Sequence, residues 1–218
     1  MSEVFHNRTD AGRKLARQLK QFSGTEAVII GIPRGGVPVA LAAASRLRLP
    51  VGIITVGKLP IPWNTEAGFG AVAADGAVVL NGVLVHEVGL SDEEIDAIAR
   101  GVLSETKRLD RIFLPGPYVR IKDRTAIIVD DGLASGYTML AAIQSAREGC
   151  AGRVVVAVPV ASESAMRLVR EAADEVICLI ESHNLPFAVA DYYLEWHDLT
   201  NEDVIQAIAD SGTHTLLS

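Results

Sequence analysis

Residues 125–138 read Thr-Ala-Ile-Ile-Val-Asp-Asp-Gly-Leu-Ala-Ser-Gly-Tyr-Thr: an unbroken apolar strand that runs into two carboxylates and then a turn of small and hydroxyl-bearing residues. A strand without polar alternation is apolar on both faces, so it belongs inside a sheet covered by helices on each side. Asp130 and Asp131 therefore emerge at a strand end, where they can accept hydrogen bonds from vicinal sugar hydroxyls. The backbone N–H groups of the turn, the hydroxyls of Ser135 and Thr138, and the start of the next helix can surround a phosphate.

The same alternation runs through the chain. Residues 8–21 place Leu15, Leu19 and Phe22 on one side at helical spacing. Residues 26–31 form a short apolar strand that stops at Ile32-Pro33-Arg34-Gly35-Gly36; an Ala-rich helix then runs to Arg48, and a second strand covers 51–56. Further strands are expected at 125–129, 153–158 and 175–180, with helices between them. This order implies an α/β fold with right-handed crossovers and a central, mostly parallel sheet flanked by helices. Loops at the carboxyl ends of such strands share one crevice, so the Arg34 loop and the Asp130 loop should face each other.

Segment 57–90 breaks the alternation. It is rich in Gly and Pro, and the β-prone runs around Asp75-Gly76 predict a hairpin. Ser91-Asp-Glu-Glu94 has the spacing of a capping box and opens an inserted helix over 91–115, which Pro115-Gly116-Pro117 closes. Residues 181–218 form a C-terminal piece whose helix starts near Thr200, and the whole of 1–218 reads as a single domain.

Of the 218 residues, 49% are hydrophobic and only 5% aromatic, a balance that suits a buried parallel sheet. The net charge of −7 argues against broad contact with nucleic acid or anionic membrane, so any anion site must be local. Cys150 and Cys178 are read as core filler in a reducing compartment. No apolar run approaches membrane length, and the expectation is a cytoplasmic protein with neither membrane nor nucleic-acid partners.

Asp130-Asp131-Gly-Leu-Ala-Ser135-Gly136-Tyr-Thr138 resembles the phosphoribosyl pyrophosphate signature of type I phosphoribosyltransferases: two acidic residues, three variable ones, Ser or Thr, Gly, any residue, Ser or Thr. The resemblance implies that family's fold, with a mobile loop and a small C-terminal hood. It implies Mg²⁺-dependent transfer of 5-phosphoribosyl from phosphoribosyl pyrophosphate to a nitrogen acceptor, with a nucleobase among the candidates and a homodimer as a common assembly. Asp130 and Asp131 would hold the ribose hydroxyls and the metal, while Ala134, Ser135, Gly136, Tyr137 and Thr138 would take the 5-phosphate. Arg34, Gly35 and Gly36 would contact pyrophosphate. Competing readings of the acidic turn are a merely solvated pair and a receiver-type phosphoacceptor; a P-loop is excluded by the lack of Gly-Lys-Ser or Gly-Lys-Thr.

The 57–90 segment lies where that family carries its mobile catalytic loop. Gly57-Lys58-Leu59-Pro60 resembles the loop opening of adenine phosphoribosyltransferases, and the pattern through Glu66 and Gly68-Phe-Gly-Ala71 resembles a group of bacterial and archaeal phosphoribosyltransferases. Lys58 would neutralise pyrophosphate, unless it is a solvated cation, and Glu66 would be a general base or acid. Gly57 stands where the family pattern has an arginine, and Ala134 where 6-oxopurine enzymes carry an Asp, which disfavours hypoxanthine and guanine. The cluster Phe187, Tyr192, Tyr193 and Trp196 either forms a hood that stacks an acceptor base, through Phe187 and Tyr192, or packs the C-terminal helix on the core. A non-catalytic sensor of phosphoribosyl pyrophosphate or a nucleotide, and a phosphosugar hydrolase, are the alternative functions.

Overall fold

A computed structural model describes residues 4–114 and 119–211, without the side chain of Glu66. The Pro115-Gly116-Pro117 stop lies outside the described residues. Five strands form the expected parallel sheet: β1 (Val28–Gly31), β2 (Val51–Ile53), then β6 (Thr125–Val129), β7 (Arg153–Ser162) and β8 (Glu175–Ser182), in spatial order β2-β1-β6-β7-β8. A smaller antiparallel sheet, in order β3-β4-β5, is made by β3 (Val56–Ile61), β4 (Asn64–Ala73) and β5 (Val78–Leu80).

Both faces of the parallel sheet are covered, as its unbroken apolar strands require. Helices α1 (Arg8–Gln18) and α2 (Gly36–Leu47) cover one face, with Leu15, Leu19, Val39 and Ala43 against Ile29, Ile127 and Val155. The other face carries α5 (Tyr137–Glu148) and α6 (Glu163–Ala172), with Met139, Ile143 and Met166 against Ile30, Ile128 and Val156. Neighbouring residues of β6 thus bury opposite faces, and full burial of an Ile such as Ile127 or Ile128 stabilises the fold by about 1.5–3 kcal/mol.

The order reverses between β1 and β6. β1 pairs with β2 on one side and with β6 on the other, Gly31 standing level with Ile53 and with Val129. The Ile32 N–H donates to the Val129 carbonyl at 3.0 Å, so the loops that follow β1 and β6 leave side by side at a topological switch point.

Segment 57–90 is more regular than its composition suggests. The hairpin expected at Asp75-Gly76 joins β4 to β5, and the short helix α3 (Gly82–Val88), capped by the Asn81 side chain, follows it. The Ser91 capping box is present and opens α4 (Asp92–Phe113), 22 residues long. The small sheet packs between α4 and α5, with Leu59, Ile61, Phe69 and Val72 against Ile95, Ile98 and Val102. Thr200 caps α7 (Asn201–Asp210) as expected, and Val204 seats that helix against Val37 and Phe113. Cys150 corrects its expected place in the core: it is exposed in the turn after α5 with φ 58°, and Cys178 is half-buried, its thiol pushed up to about 11 by burial. Among the described residues no helix is long and apolar enough to cross a membrane.

Candidate active site

The turn after β6 is anchored at its base and open at its tip. Leu133 exchanges backbone hydrogen bonds with the end of β7, its N–H donating to Val160 and its carbonyl accepting from Ser162, each at 2.9 Å. The Ser162 hydroxyl donates to the Ala134 carbonyl at 2.7 Å while capping α6. Ala134 and Ser135 are exposed, and Gly136 takes a left-handed conformation (φ 85°) as the N-cap of α5. The first N–H groups of a helix have no intrahelical partner, so the start of α5 presents free backbone donors at the tip of this turn.

The loop after β1 lies directly on the acidic pair. A Cβ at Gly35 would stand 1.9 Å from Asp131 Oδ2, and one at Gly36 would stand 2.5 Å from the Val129 carbonyl oxygen. Side chains are excluded from both positions, which leaves backbone alone beside the carboxylates. The Pro33–Arg34 peptide is cis, and the Arg34 side chain is exposed with no ion pair among the described residues. The loops that carry Arg34, Gly35 and Gly36 and Asp130, Asp131 and the 134–138 turn therefore leave from the adjacent ends of β1 and β6, on either side of the crevice at the switch point.

Each carboxylate uses one oxygen internally. Asp130 Oδ1 accepts from the Asp131 N–H at 2.8 Å, and Asp131 Oδ2 accepts from Arg8 Nε at 2.8 Å. Among the described residues no further N–H donor meets either carboxylate, and the two carboxyl groups come within hydrogen-bonding reach of each other. Protein surrounds the pair closely, although its outer edge reaches solvent. Burial pushes the Asp130 carboxyl well above its ordinary value and the Asp131 charge adds to this. Asp131 is raised by burial too, with Arg8 acting against the rise. Hard carboxylate oxygens suit Mg²⁺ in company with oxygens of a phosphate substrate. Among the described residues no three His, Cys, Asp or Glu side chains cluster as a protein-only metal site.

Arg8 carries no signal in the sequence, because it is one of several basic residues in a surface helix. It is placed by pairing between the chain's two ends: the Phe5 N–H donates to Tyr192, and the Leu194 and Glu195 N–H groups donate to Phe5 and His6. That pairing sets the first turn of α1 against the C-terminal segment. The guanidinium stacks 3.9 Å from the Trp196 ring centroid, donates to the His197 carbonyl at 3.0 Å, and is buried. Tyr193 adds a second tie by donating its hydroxyl to the Asp131 carbonyl at 2.6 Å.

The C-terminal aromatics pack against Phe5 and the sheet rather than under α7. Tyr192 is buried and donates its hydroxyl to Ser182, so it offers no face for stacking; the expectation that it contacts an acceptor is corrected to a supporting role beneath the half-buried Phe187, 5.7 Å away between centroids. Lys58 is exposed on β3, opposite Ala71, in the antiparallel sheet and not in the two loops that carry the crevice. Glu66 falls within β4, and its side chain lies outside the described residues. Gly57 has a packing reason: a Cβ there would stand 2.4 Å from Thr106 Oγ1 and 2.5 Å from Val102 Cγ1 of α4. An arginine has no room at that position.

No family model matches the chain. Two Mycobacterium tuberculosis proteins, of strains CDC 1551 / Oshkosh and H37Rv, provisionally named phosphoribosyl transferases, are 40% identical to it over 204 residues, or 93% of this chain. The chain spans about half the length of these relatives, 46%. The crystal structure of TT1426 from Thermus thermophilus superposes with a TM-score of 0.78 at 32% identity, covering 95% of this chain and 98% of that one. The AQ2163 protein from Aquifex aeolicus shares the fold at 13% identity and a TM-score of 0.50, over 80% of this chain and 74% of its own. At the switch point the acidic pair packs against the bare backbone of Gly35 and Gly36, beside the turn that opens α5. Over the matched 204 residues the chain is thus similar to proteins provisionally named phosphoribosyl transferases, and it shares the α/β fold of TT1426.

Proposed function

We propose that the protein transfers a 5-phosphoribosyl group from phosphoribosyl pyrophosphate to a nitrogen acceptor. The observation that carries this reading is the acidic pair, each carboxylate with one oxygen held by a protein N–H donor, packed against the Gly35-Gly36 backbone. The two remaining oxygens accept from the vicinal ribose hydroxyls and, with the donor's own oxygens, would hold Mg²⁺. When bound, the ion supplies positive charge against the pyrophosphate. The 134–138 turn binds the 5-phosphate, whose binding energy positions the reacting carbon.

In the step itself the acceptor nitrogen's lone pair forms a bond to the anomeric carbon, while the bond to pyrophosphate oxygen breaks and its electron pair leaves with that oxygen. Positive charge that develops on the ribose lies beside Asp130 and Asp131, and Arg34 with the amides of its loop takes the negative charge of the leaving group. Glu66 would accept the proton that the nitrogen loses, and Lys58 would approach pyrophosphate if the β3–β4 sheet closes over the crevice. Phe187 is the surface offered to a planar acceptor. Ala134 supplies no carboxylate to a 6-oxopurine, so adenine-like or non-purine acceptors fit better. A cytoplasmic homodimer belongs to the same reading.

The space for an arginine that α4 removes at Gly57 favours one second reading, a binder of phosphoribosyl pyrophosphate that does not turn it over. Pyrophosphate release with Mg²⁺, across a panel of bases, amines and carboxylated aromatics, separates the possibilities. Release that depends on an acceptor supports transfer. Acceptor-independent release means hydrolysis, tight binding without release means a sensor, and no binding at all overturns the reading.

A further inference from the structure

Arg8 joins three parts of the molecule. It enters from α1, its Nε donates to Asp131 Oδ2, its Nη1 donates to the His197 carbonyl, and its flat face lies on Trp196. The partners are 123 and 189 residues away in the chain, so the contacts are products of the tertiary fold. Such a fork, filled on two edges and one face, fixes the guanidinium in position and orientation. It therefore fixes the Asp131 carboxylate, and with it which oxygen of Asp131 remains for a ligand.

Resting on the proposed phosphoribosyl pyrophosphate site, we propose that Arg8 is a positioning residue that aims Asp131 at the donor's ribose hydroxyl and links occupation of the donor site to the Trp196 end of the hood. A ribose hydroxyl that bonds to Asp131 alters the charge shared with the guanidinium, and the guanidinium lies on the indole. Trp196 thus senses the donor without touching it. A lysine in this place keeps a positive charge, but its single ammonium cannot bond to Asp131 and His197 while also lying flat on the ring. Tyr193 supplies the contrast: its hydroxyl ties the same segment to Asp131 through the backbone carbonyl and leaves the carboxylate alone.

The test uses the full chain in a Trp63→Phe background, which removes the exposed tryptophan of the β3–β4 hairpin and leaves Trp196 as the only emitter. Phosphoribosyl pyrophosphate with Mg²⁺ is titrated while tryptophan emission is followed, and the Kd is measured in parallel by calorimetry. With Arg8 intact, saturation changes the Trp196 emission. Arg8→Lys weakens the Kd on the order of 10- to 100-fold and abolishes the emission change, whereas Tyr193→Phe lowers the melting temperature and leaves the Kd as it was. Binding of the donor to the Arg8 protein without any change in emission overturns the link, and this readout does not require the lysine variant to fold. An unchanged Kd in Arg8→Lys, or an equal loss in Tyr193→Phe, overturns the positioning role. Failure of the Arg8 protein to bind the donor at all overturns the proposed function and this inference together.

Discussion

The crevice and the hood hold their shapes by different means. Around the crevice, Gly35, Gly36 and the 134–138 turn present backbone, with side chains excluded at two positions and the turn pinned by strand-like hydrogen bonds to β7. In the hood, Phe5, Tyr192, Tyr193, Trp196 and Arg8 interlock side chain by side chain. A backbone cradle suits an anion whose geometry is always the same. A side-chain assembly can support a different face, such as Phe187, without altering the cradle. Under the proposed function, the contrast separates what would bind the donor from what would shape the acceptor end.

The sharpest way to break this division is to alter the carboxylate on which the two regions meet. Asp131→Asn keeps the volume but loses the charge toward Arg8 and the ribose; calorimetry should show donor binding weakened on the order of 100-fold, with far-UV circular dichroism unchanged. A variant that unfolds would make Asp131 a structural residue of the hood instead. Next in size, Gly57→Arg places a side chain against Thr106 and Val102, so it should lower stability by about 1–3 kcal/mol in urea rather than add a pyrophosphate contact. Tighter donor binding in that variant would show that β3 can move off α4.

Asp130→Asn tests the electrostatic strain of the crevice. The Asp130 carboxyl is raised by burial and by Asp131, so the folded state binds this proton more tightly than the unfolded chain does. Stability from this group is therefore greatest below the unfolded value and falls as pH rises through the window up to the raised one. As pH rises above the ordinary aspartate range the wild type should lose melting temperature relative to Asp130→Asn, by a few degrees, about 2–4 °C for each kcal/mol. Equal pH profiles would mean that the pair is well solvated. The smallest effect is expected from Tyr193→Phe, which removes one hydrogen bond to the Asp131 carbonyl and should cost about 1 kcal/mol in thermal unfolding.

The same contrast explains how much was legible in the sequence. Strand, acidic pair, small turn and helix start are contiguous from Thr125 to Thr138, so local spacing carried them, and the Gly35 loop followed from its place after the first strand. The Ser91 capping box was readable because it spans four residues, while at Thr200 only the helix start was read and the box with Asp203 emerged from the structure. Arg8 was not readable, because its meaning comes from Asp131 and His197 at the far side of the fold. Tyr192 misled for a related reason: a ring in an aromatic cluster reads the same whether it faces a ligand or the core, and only its bond to Ser182 decides. At Gly57 the sequence shows a missing cation, while the cause is α4, whose contact with β3 no local pattern records.

The central claim is that the crevice binds phosphoribosyl pyrophosphate through a backbone loop seated on the acidic pair. Calorimetric titration of phosphoribosyl pyrophosphate and Mg²⁺ into the wild type and Gly35→Ala tests it most directly, since the added methyl enters the space of Asp131 Oδ2. The account predicts saturable one-site binding by the wild type and its loss in a folded Gly35→Ala; no binding by the wild type, or equal binding by both, would contradict it.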